Sequence, residues 1–167
     1  MYNNDKILLE QAYHTIYEDN NPFKPASEDD IKDRKQQQLR LANQKVQEYI
    51  KNGSVGDLDL SFTPIQSLPP SLEVGGNLYL VGSSIQSLPT GLKVDGSLDL
   101  TNTPIQSLPP DLKVDGYLNL YNTQIQSLPP DLEVDGNAYL GDTPIAKKHT
   151  IEDIQKMCPG VKGSIYE

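Results

Sequence analysis

Tryptophan is absent from this 167-residue chain, and cysteine occurs only once, at Cys158. A single cysteine excludes a disulfide within the chain. Neither His14 nor His149 stands at a spacing from Cys158 that fits a zinc site. No apolar run approaches the roughly 18 residues of a membrane-spanning helix. We therefore expect no metal, no cofactor and no membrane span.

Basic residues are also scarce. Residues 53–146 hold only 2 basic side chains against 11 acidic ones. The charges of the flanking segments nearly cancel, so this stretch accounts for the formal net charge of −9. Phosphate backbones and anionic membrane surfaces are bound through Lys and Arg. We therefore expect neither a nucleic-acid partner nor a membrane partner. The acidic surplus either keeps the surface soluble or attracts a basic protein.

Groups suited to catalysis are also few. Cys158 could pair with a histidine as a thiol nucleophile, but we interpret it as a small packed residue. Asp95, Asp115 and Asp135 recur once per 20 residues, each before a glycine. That pattern is typical of turns and does not supply the clustered oxygen ligands of a calcium site. We expect a protein without enzymatic activity.

The start of the chain lacks the basic residues and the long apolar segment of a secretory signal. We therefore expect a cytoplasmic location as the default.

A repeat of 20 residues fills the chain from Ser54 to Ile145. A fixed period of this length predicts a solenoid, in which equivalent residues of successive coils stack. Six positions of each period carry aliphatic side chains, with one alanine among them. They are Leu58, Leu78, Leu98, Leu118, Ala138; Leu60, Leu80, Leu100, Leu120, Leu140; Ile65, Ile85, Ile105, Ile125, Ile145; Leu68, Leu88, Leu108, Leu128; Leu72, Leu92, Leu112, Leu132; and Val74, Val94, Val114, Val134.

Within each coil, the Leu-x-Leu pair predicts a strand with one buried face. The Leu-Pro-Pro step excludes a helix interior and a central strand, which leaves extended, polyproline-like backbone. The remaining Ile, Leu and Val positions are spaced for turns. One coil cannot bury its own aliphatic side chains, so we expect stacked coils and one parallel sheet. Gly76, Gly96, Gly116 and Gly136 precede the strands, where we expect turns of positive φ.

The motif Leu-x-Leu-x-x-(Thr/Ser)-x-Ile-x-x-Leu-Pro-x-x-Leu resembles the leucine-rich repeat. Its short spacing and Leu-Pro step are similar to the bacterial type found in secreted effectors and phage-encoded proteins. The resemblance covers more than half of the chain. It implies a parallel sheet that binds a protein partner, and it extends the expected location to a host cell or a virion.

One departure from the family concerns the asparagine that usually forms a ladder beneath the strands. Thr or Ser occupies that position here: Thr63, Ser83, Thr103, Thr123 and Thr143. We expect their hydroxyls to bond to neighbouring backbone. Asn102 and Asn122, one residue earlier, could replace the ladder in two coils.

These patterns divide the chain into a helical cap at residues 1–53, a solenoid of five coils at residues 54–146, and a second cap at residues 147–167. The expected fold class is an α/β repeat solenoid with a parallel sheet, a helical cap at its start and a helix-strand cap at its end.

Both caps have local signals. Apolar stripes predict helices at Asn4–Glu18 and Glu28–Lys51, and Ser27 is a suitable N-cap for the second. The first helix either packs on the second or docks a partner. Thr150 predicts the start of a short helix, and Val161–Tyr166 repeats the strand register and predicts a sixth strand.

Strand alternation predicts which side chains face outward beside the buried leucines. The candidate partner-binding residues on this face are Asp57, Asp59, Tyr79, Asp99, Tyr117, Asn119, Tyr121 and Tyr139. Tyr and Asn are favoured at recognition surfaces, although Tyr is also a good strand former. We expect a non-catalytic module that binds a protein through this face. The alternative is a structural or assembly component, for example of a phage particle.

Overall fold

The computed structural model describes residues 25–167. The predicted helix Asn4–Glu18 therefore lies outside the described residues. Two compact units divide the chain, Met1–Gln36 and Gln37–Glu167. The repeats belong to the second unit, whose fold confirms the predicted class of a solenoid with helical and helix-strand caps.

Helix α1 spans Glu28–Lys51, as the sequence predicted. At its start, Ser27 Oγ accepts a hydrogen bond from the Asp30 N–H at 3.1 Å, and the Ser27 N–H donates to Asp30 Oδ2 at 3.0 Å. This reciprocal pair satisfies backbone donors that a helix start leaves free. The helix ends at Lys51, and Gly53 just beyond it has a φ of 86°, which glycine readily adopts.

The solenoid places one strand of each coil in a six-stranded parallel sheet. Its strands, in spatial order, are β1 Leu58–Asp59, β3 Leu78–Tyr79, β5 Leu98–Asp99, β7 Leu118–Asn119, β9 Ala138–Tyr139 and β10 Ile165–Tyr166. Leu98 lies opposite Leu118, and Leu78 lies opposite Leu98, so translation by one period preserves the register. The predicted stacking of equivalent leucines is confirmed.

A second parallel sheet runs along the stack. It contains β2 Glu73–Val74, β4 Lys93–Val94, β6 Lys113–Val114 and β8 Glu133–Val134. The prediction of a single sheet, with these valines in turns, was wrong. Each of these strands contains a single aliphatic residue in place of the Leu-x-Leu pair, so no alternation distinguishes it from a turn.

The core consists of the six aliphatic rows predicted from the repeat. All their members are buried, and the least covered row, at Leu68 and its equivalents, is 7–8% exposed. At about 25 cal/mol per Å² of apolar area, each fully buried leucine stabilises the stack by about 2 kcal/mol.

The glycines before the strands have a different role from the predicted one. None of Gly76, Gly96, Gly116 and Gly136 has positive φ. Instead, their backbones approach one another: the Gly136 N–H donates to Gly116 O at 3.0 Å. A Cβ on Gly136 would lie 2.7 Å from that oxygen. Glycine is therefore required by the close approach of coils, and the prediction of positive φ was wrong.

Left-handed backbone occurs after the strand instead, at one equivalent position of every coil. The residues there are Phe62, Gly82, Asn102, Asn122 and Asp142, with φ between 53° and 61°. Gly, Asn and Asp tolerate this region, whereas a bulky residue is unfavourable. Asn122 Nδ2 also donates to Asn102 Oδ1 at 2.7 Å, so these two asparagines do connect neighbouring coils.

The Thr row forms hydrogen bonds within each coil. Thr103 Oγ1 donates to Leu100 O at 2.7 Å, and Thr123 Oγ1 donates to Leu120 O at 2.8 Å. The expected bonding of hydroxyls to neighbouring backbone is confirmed at these positions. Ser83 differs, because its buried Oγ has no hydrogen-bond partner among the described residues.

The second half of α1 covers the first coil. Ala42 and Val46 are buried in the same core as the repeats. The Tyr49 hydroxyl lies 2.8 Å from Ser54 O and 2.7 Å from Gly56 O, and it accepts a hydrogen bond from the Gly75 N–H at 3.1 Å. Helix α1 therefore closes the apolar end of the stack from residue 37 onward.

The last coil is closed by two short helices and β10. Helix α2, Pro144–Lys148, was not predicted, whereas α3, Ile151–Met157, begins at its predicted N-cap Thr150. Ile154 and Cys158 are buried in the core. The predicted sixth strand is present as Ile165–Tyr166, paired in parallel with β9.

Candidate protein-interaction face

The outward side of the six-stranded sheet, termed the strand face, presents one side chain per strand at the middle position. In register along the stack these are Asp59, Tyr79, Asp99, Asn119, Tyr139 and Tyr166. Neighbouring members stand about 4.8 Å apart, which is the strand spacing of a sheet. Asp57 and Tyr117 precede their strands and Tyr121 follows its strand. The structure therefore brings all eight predicted site residues to one face.

A polar ladder crosses the coils at the strand entrance. Asp57 Oδ1 accepts from the Asn77 N–H at 2.7 Å, and Asn77 Oδ1 accepts from the Ser97 N–H at 2.8 Å. Ser97 Oγ accepts from the Tyr117 N–H at 3.1 Å, and Tyr117 supplies a phenol ring where the earlier coils supply an acceptor. Side chains of successive coils thus form a hydrogen-bond ladder beside the strands, and Tyr117 interrupts it.

The carboxylates of the middle row have structural bonds of their own. Asp59 Oδ1 accepts from the Ser61 N–H at 2.9 Å, and this bond lowers the pKa of Asp59. Asp99 Oδ1 accepts from the Thr101 N–H at 2.9 Å and from its hydroxyl at 2.6 Å. Each carboxylate is held in place through Oδ1, which leaves Oδ2 available to accept from a ligand.

Three tyrosines from the last coils form an aromatic cluster. Tyr139 stacks on Tyr166 with ring centroids 5.2 Å apart and an interplanar angle of 13°. Tyr117 meets Tyr139 edge-on, at 6.1 Å and 82°. The three residues remain 36–46% exposed. Their mutual contacts restrict the rings, so a ligand would lose little side-chain entropy on binding them. Tyr117, Tyr139 and Tyr166 are termed the tyrosine cluster.

The surroundings of Tyr117 and Tyr121 raise the pKa values of both phenols. Burial, and then the charge of Asp99, raises the pKa of Tyr117. A hydrogen bond with the Asp142 carboxylate raises the pKa of Tyr121. The Tyr117 and Tyr121 phenols therefore stay neutral at pH 7 and are able to donate or accept hydrogen bonds.

The two sheets differ in how their charges are compensated. On the four-stranded sheet, Lys93 Nζ lies 3.5 Å from Glu73 Oε1, and Lys113 Nζ lies 2.9 Å from Glu133 Oε2. The strand face contains no Lys or Arg in its outward rows. The strand face therefore carries Asp57, Asp59 and Asp99 without a basic side chain in its own outward rows.

Residues 25–167 contain no group of three or more His, Cys, Asp or Glu side chains arranged to hold a metal ion. No helix in the same range is long and apolar enough to cross a bilayer. Cys158 is buried, its Sγ lies 3.5 Å from Pro129 O, and burial raises the pKa of its thiol. This environment disfavours the thiolate that a nucleophilic cysteine needs.

A separate groove of about 290 Å³ lies between α1 and the first coil. Leu41 on the helix and Phe62 on the coil form its apolar rim, and they are 58% and 77% exposed. Lys45 and Asp59 supply opposite charges to its walls.

Comparison with protein-family models, with curated proteins and with solved structures finds no match to this chain.

Sequence reasoning identified the strand face but missed one of its residues and one residue of the separate groove. Tyr166 was omitted, although the predicted sixth strand placed it in register with Tyr139. The exposed Phe62 was also missed, because apolar positions were sought only where they recur. An aromatic residue at a position that is Gly, Asn or Asp in the other coils was the available signal.

Proposed function

We propose that this chain is a leucine-rich repeat protein of the short bacterial or phage type, and that it binds a protein partner through the strand face. The motif resemblance supports the family, and the stacked parallel coils are compatible with it. The proposed role is non-catalytic.

The observation that carries this proposal is the tyrosine cluster. Three large aromatic side chains remain partly exposed although they touch one another. Tyr117 also occupies a position where other coils use a polar side chain to bond the next coil. Aromatic residues held in a rigid arrangement are typical energetic centres of protein interfaces.

Quantitative affinity capture from the source cell tests the proposal. The full chain should enrich a specific protein, and the variant Tyr117→Ala/Tyr139→Ala/Tyr166→Ala should lose it by at least about tenfold, as expected for interface anchors. The matched control is Gln86→Ala/Gln106→Ala/Gln126→Ala, which changes three exposed side chains of the repeat away from the strand face.

Equal enrichment by both variants would contradict a role for the strand face. Recovery of further copies of this chain in place of another protein would favour the assembly alternative.

A further inference from the structure

The tyrosine cluster and its acidic surroundings specify a ligand chemistry. We propose that the strand face accepts an arginine-bearing segment of the protein partner, with guanidinium groups stacked on the tyrosine cluster and paired with Asp99. This inference rests on the proposed function, because it identifies the kind of segment that the same face would bind.

The first support is charge complementarity. Asp57, Asp59 and Asp99 lie on the strand face, whereas its outward rows contain no cationic side chain. Two cations flank the face: Lys147 lies 3.9 Å from Asp142 Oδ1, beside Tyr121, and Lys45 lies at the first coil, where its Nζ donates to Asp59 O. Asp99 lies two coils further along the stack, about 10 Å away at the sheet spacing. A cation near Asp99 would therefore meet no competing positive charge from the face.

The second support is the position of Asp99 relative to Tyr117. Asp99 lies opposite Asn119 in the register, so Tyr117 stands diagonally beside it, within reach of a long side chain. One Asp99 oxygen is held by Thr101. The other can accept from a guanidinium that lies flat on the Tyr117 ring.

The third support is the shape of the binding groups. A planar guanidinium combines stacking on an aromatic face with a directed hydrogen bond to a carboxylate, whereas an ammonium acts as a compact, strongly hydrated charge. The parallel pair of Tyr139 and Tyr166 offers a second flat surface next to the first. The arrangement therefore favours arginine over lysine.

Fluorescence anisotropy with two labelled peptides tests this. One probe contains repeated Arg-Ser-Gly and the other contains repeated Lys-Ser-Gly, so that they differ only in the cation. The full chain should bind the arginine peptide about 3-fold more tightly, as expected for an exposed cation–π contact. Binding of both peptides should weaken with salt, because exposed charges are screened.

Four variants separate the contributions. Tyr117→Leu should reduce the preference for arginine, whereas Tyr117→Phe, which keeps a ring, should retain it. Asp99→Asn should weaken both peptides about 2- to 4-fold at low salt; the amide oxygen can still accept from Thr101. Asp131→Asn removes the same charge from an exposed turn outside the strand face and should have a smaller effect.

Equal affinity for the two peptides, or equal effects of Asp99→Asn and Asp131→Asn, would overturn the inference. These failures are distinct from failure of the proposed function. If the tyrosine variants lose the captured partner but the arginine peptide does not bind, the face recognises another chemistry. If the peptide binds but capture is unchanged in the tyrosine variants, the partner uses another surface.

Discussion

At the scale of single residues, the glycines of this solenoid fall into two classes that a sequence cannot separate. Gly136 has an ordinary φ, but a Cβ there would lie 2.7 Å from Gly116 O and 3.0 Å from the Tyr117 nitrogen. Gly56 has a φ of 80°, and a Cβ there would meet nothing within 4 Å. The first position lacks space, whereas the second needs left-handed backbone.

This difference predicts opposite responses to asparagine. At Gly136, both Ala and Asn should destabilise the fold by about 1–3 kcal/mol, because either Cβ forces the coils apart. At Gly56, Asn should be tolerated better than Ala, since Asn accepts positive φ. Urea unfolding of the four variants measures this. A Gly136→Asn variant more stable than Gly136→Ala would show that conformation, rather than space, selects glycine there.

Ser83 is a residue at which one coil differs from the others. Its hydroxyl is buried without a partner, whereas Thr103 and Thr123 bond the carbonyl three residues earlier. We predict that Ser83→Thr stabilises the protein by about 0.5–1.5 kcal/mol, through a new hydrogen bond to Leu80 O and a buried methyl group. The reciprocal Thr103→Ser should destabilise. A lower unfolding midpoint for Ser83→Thr would mean that this coil lacks room for the methyl.

At the scale of elements, α1 is held to the solenoid by polar contacts that include the Lys45 Nζ to Asp59 O bond and those of the Tyr49 hydroxyl. The Tyr49 hydroxyl lies within hydrogen-bond distance of two carbonyl oxygens and accepts a hydrogen bond from the Gly75 N–H. Tyr49→Phe leaves these groups without that partner and should destabilise by about 1–2 kcal/mol at pH 7. The control is Tyr121→Phe, which removes an exposed hydroxyl and should cost less.

The same hydroxyl predicts a pH dependence with a definite sign. Desolvation raises the pKa of Tyr49 above its ordinary value, so the folded state retains the proton longer than the unfolded state. The hydroxyl's contribution is complete below the unfolded pKa of about 10 and is lost as the pH rises above it. The difference in unfolding free energy between the parent and Tyr49→Phe should therefore narrow as the pH rises from about 10 through the raised pKa of the folded state. An unchanged difference would contradict the raised pKa.

The elements also show how far sequence reasoning reaches. The leucine rows and the first sheet could be predicted because their pattern repeats in each coil. Helix α1 could be predicted because of its apolar stripe and its N-cap. The glycine role could not, since it depends on the distance between two coils. Helix α2 had a readable signal, because Thr143 is its N-cap and Pro144 its first residue. The signal did not lead to a prediction, because Ile145 also fits the Ile position of the repeat and the segment was assigned to the fifth coil.

The strand face was only partly predictable for a related reason. Outward positions follow from alternation, so Tyr117 and Tyr139 were found. Tyr166 joins them through a coil that contains α3, where the ladder spans 27 residues from Asn137 to Ser164 instead of the usual 20. Which polar side chains are occupied by structural bonds, such as Asp99 with Thr101, depends on side-chain geometry that no pattern specifies.

At the scale of the whole molecule, the solenoid should behave as a stack of interchangeable coils, since each coil contacts mainly its neighbours. Deleting residues 94–113 removes one period and joins Lys93 to Val114. The new strand would place Lys93 between Glu73 and Glu133, because these three lie in one register. The deletion would thereby remove the unfavourable pairing of Lys93 opposite Lys113.

We predict that this variant folds cooperatively, with a denaturant m-value reduced by about a tenth as less surface is buried. Deleting residues 95–113 instead shifts the following coils by one residue, which turns buried side chains outward, and should prevent folding. Circular dichroism and urea titration distinguish the two. If both deletions unfold, the coils are not interchangeable, and stability depends on contacts that extend beyond nearest neighbours. If both fold alike, the register is not set by the aliphatic rows, and the strand face would have no defined alignment of Asp99 with the tyrosine cluster.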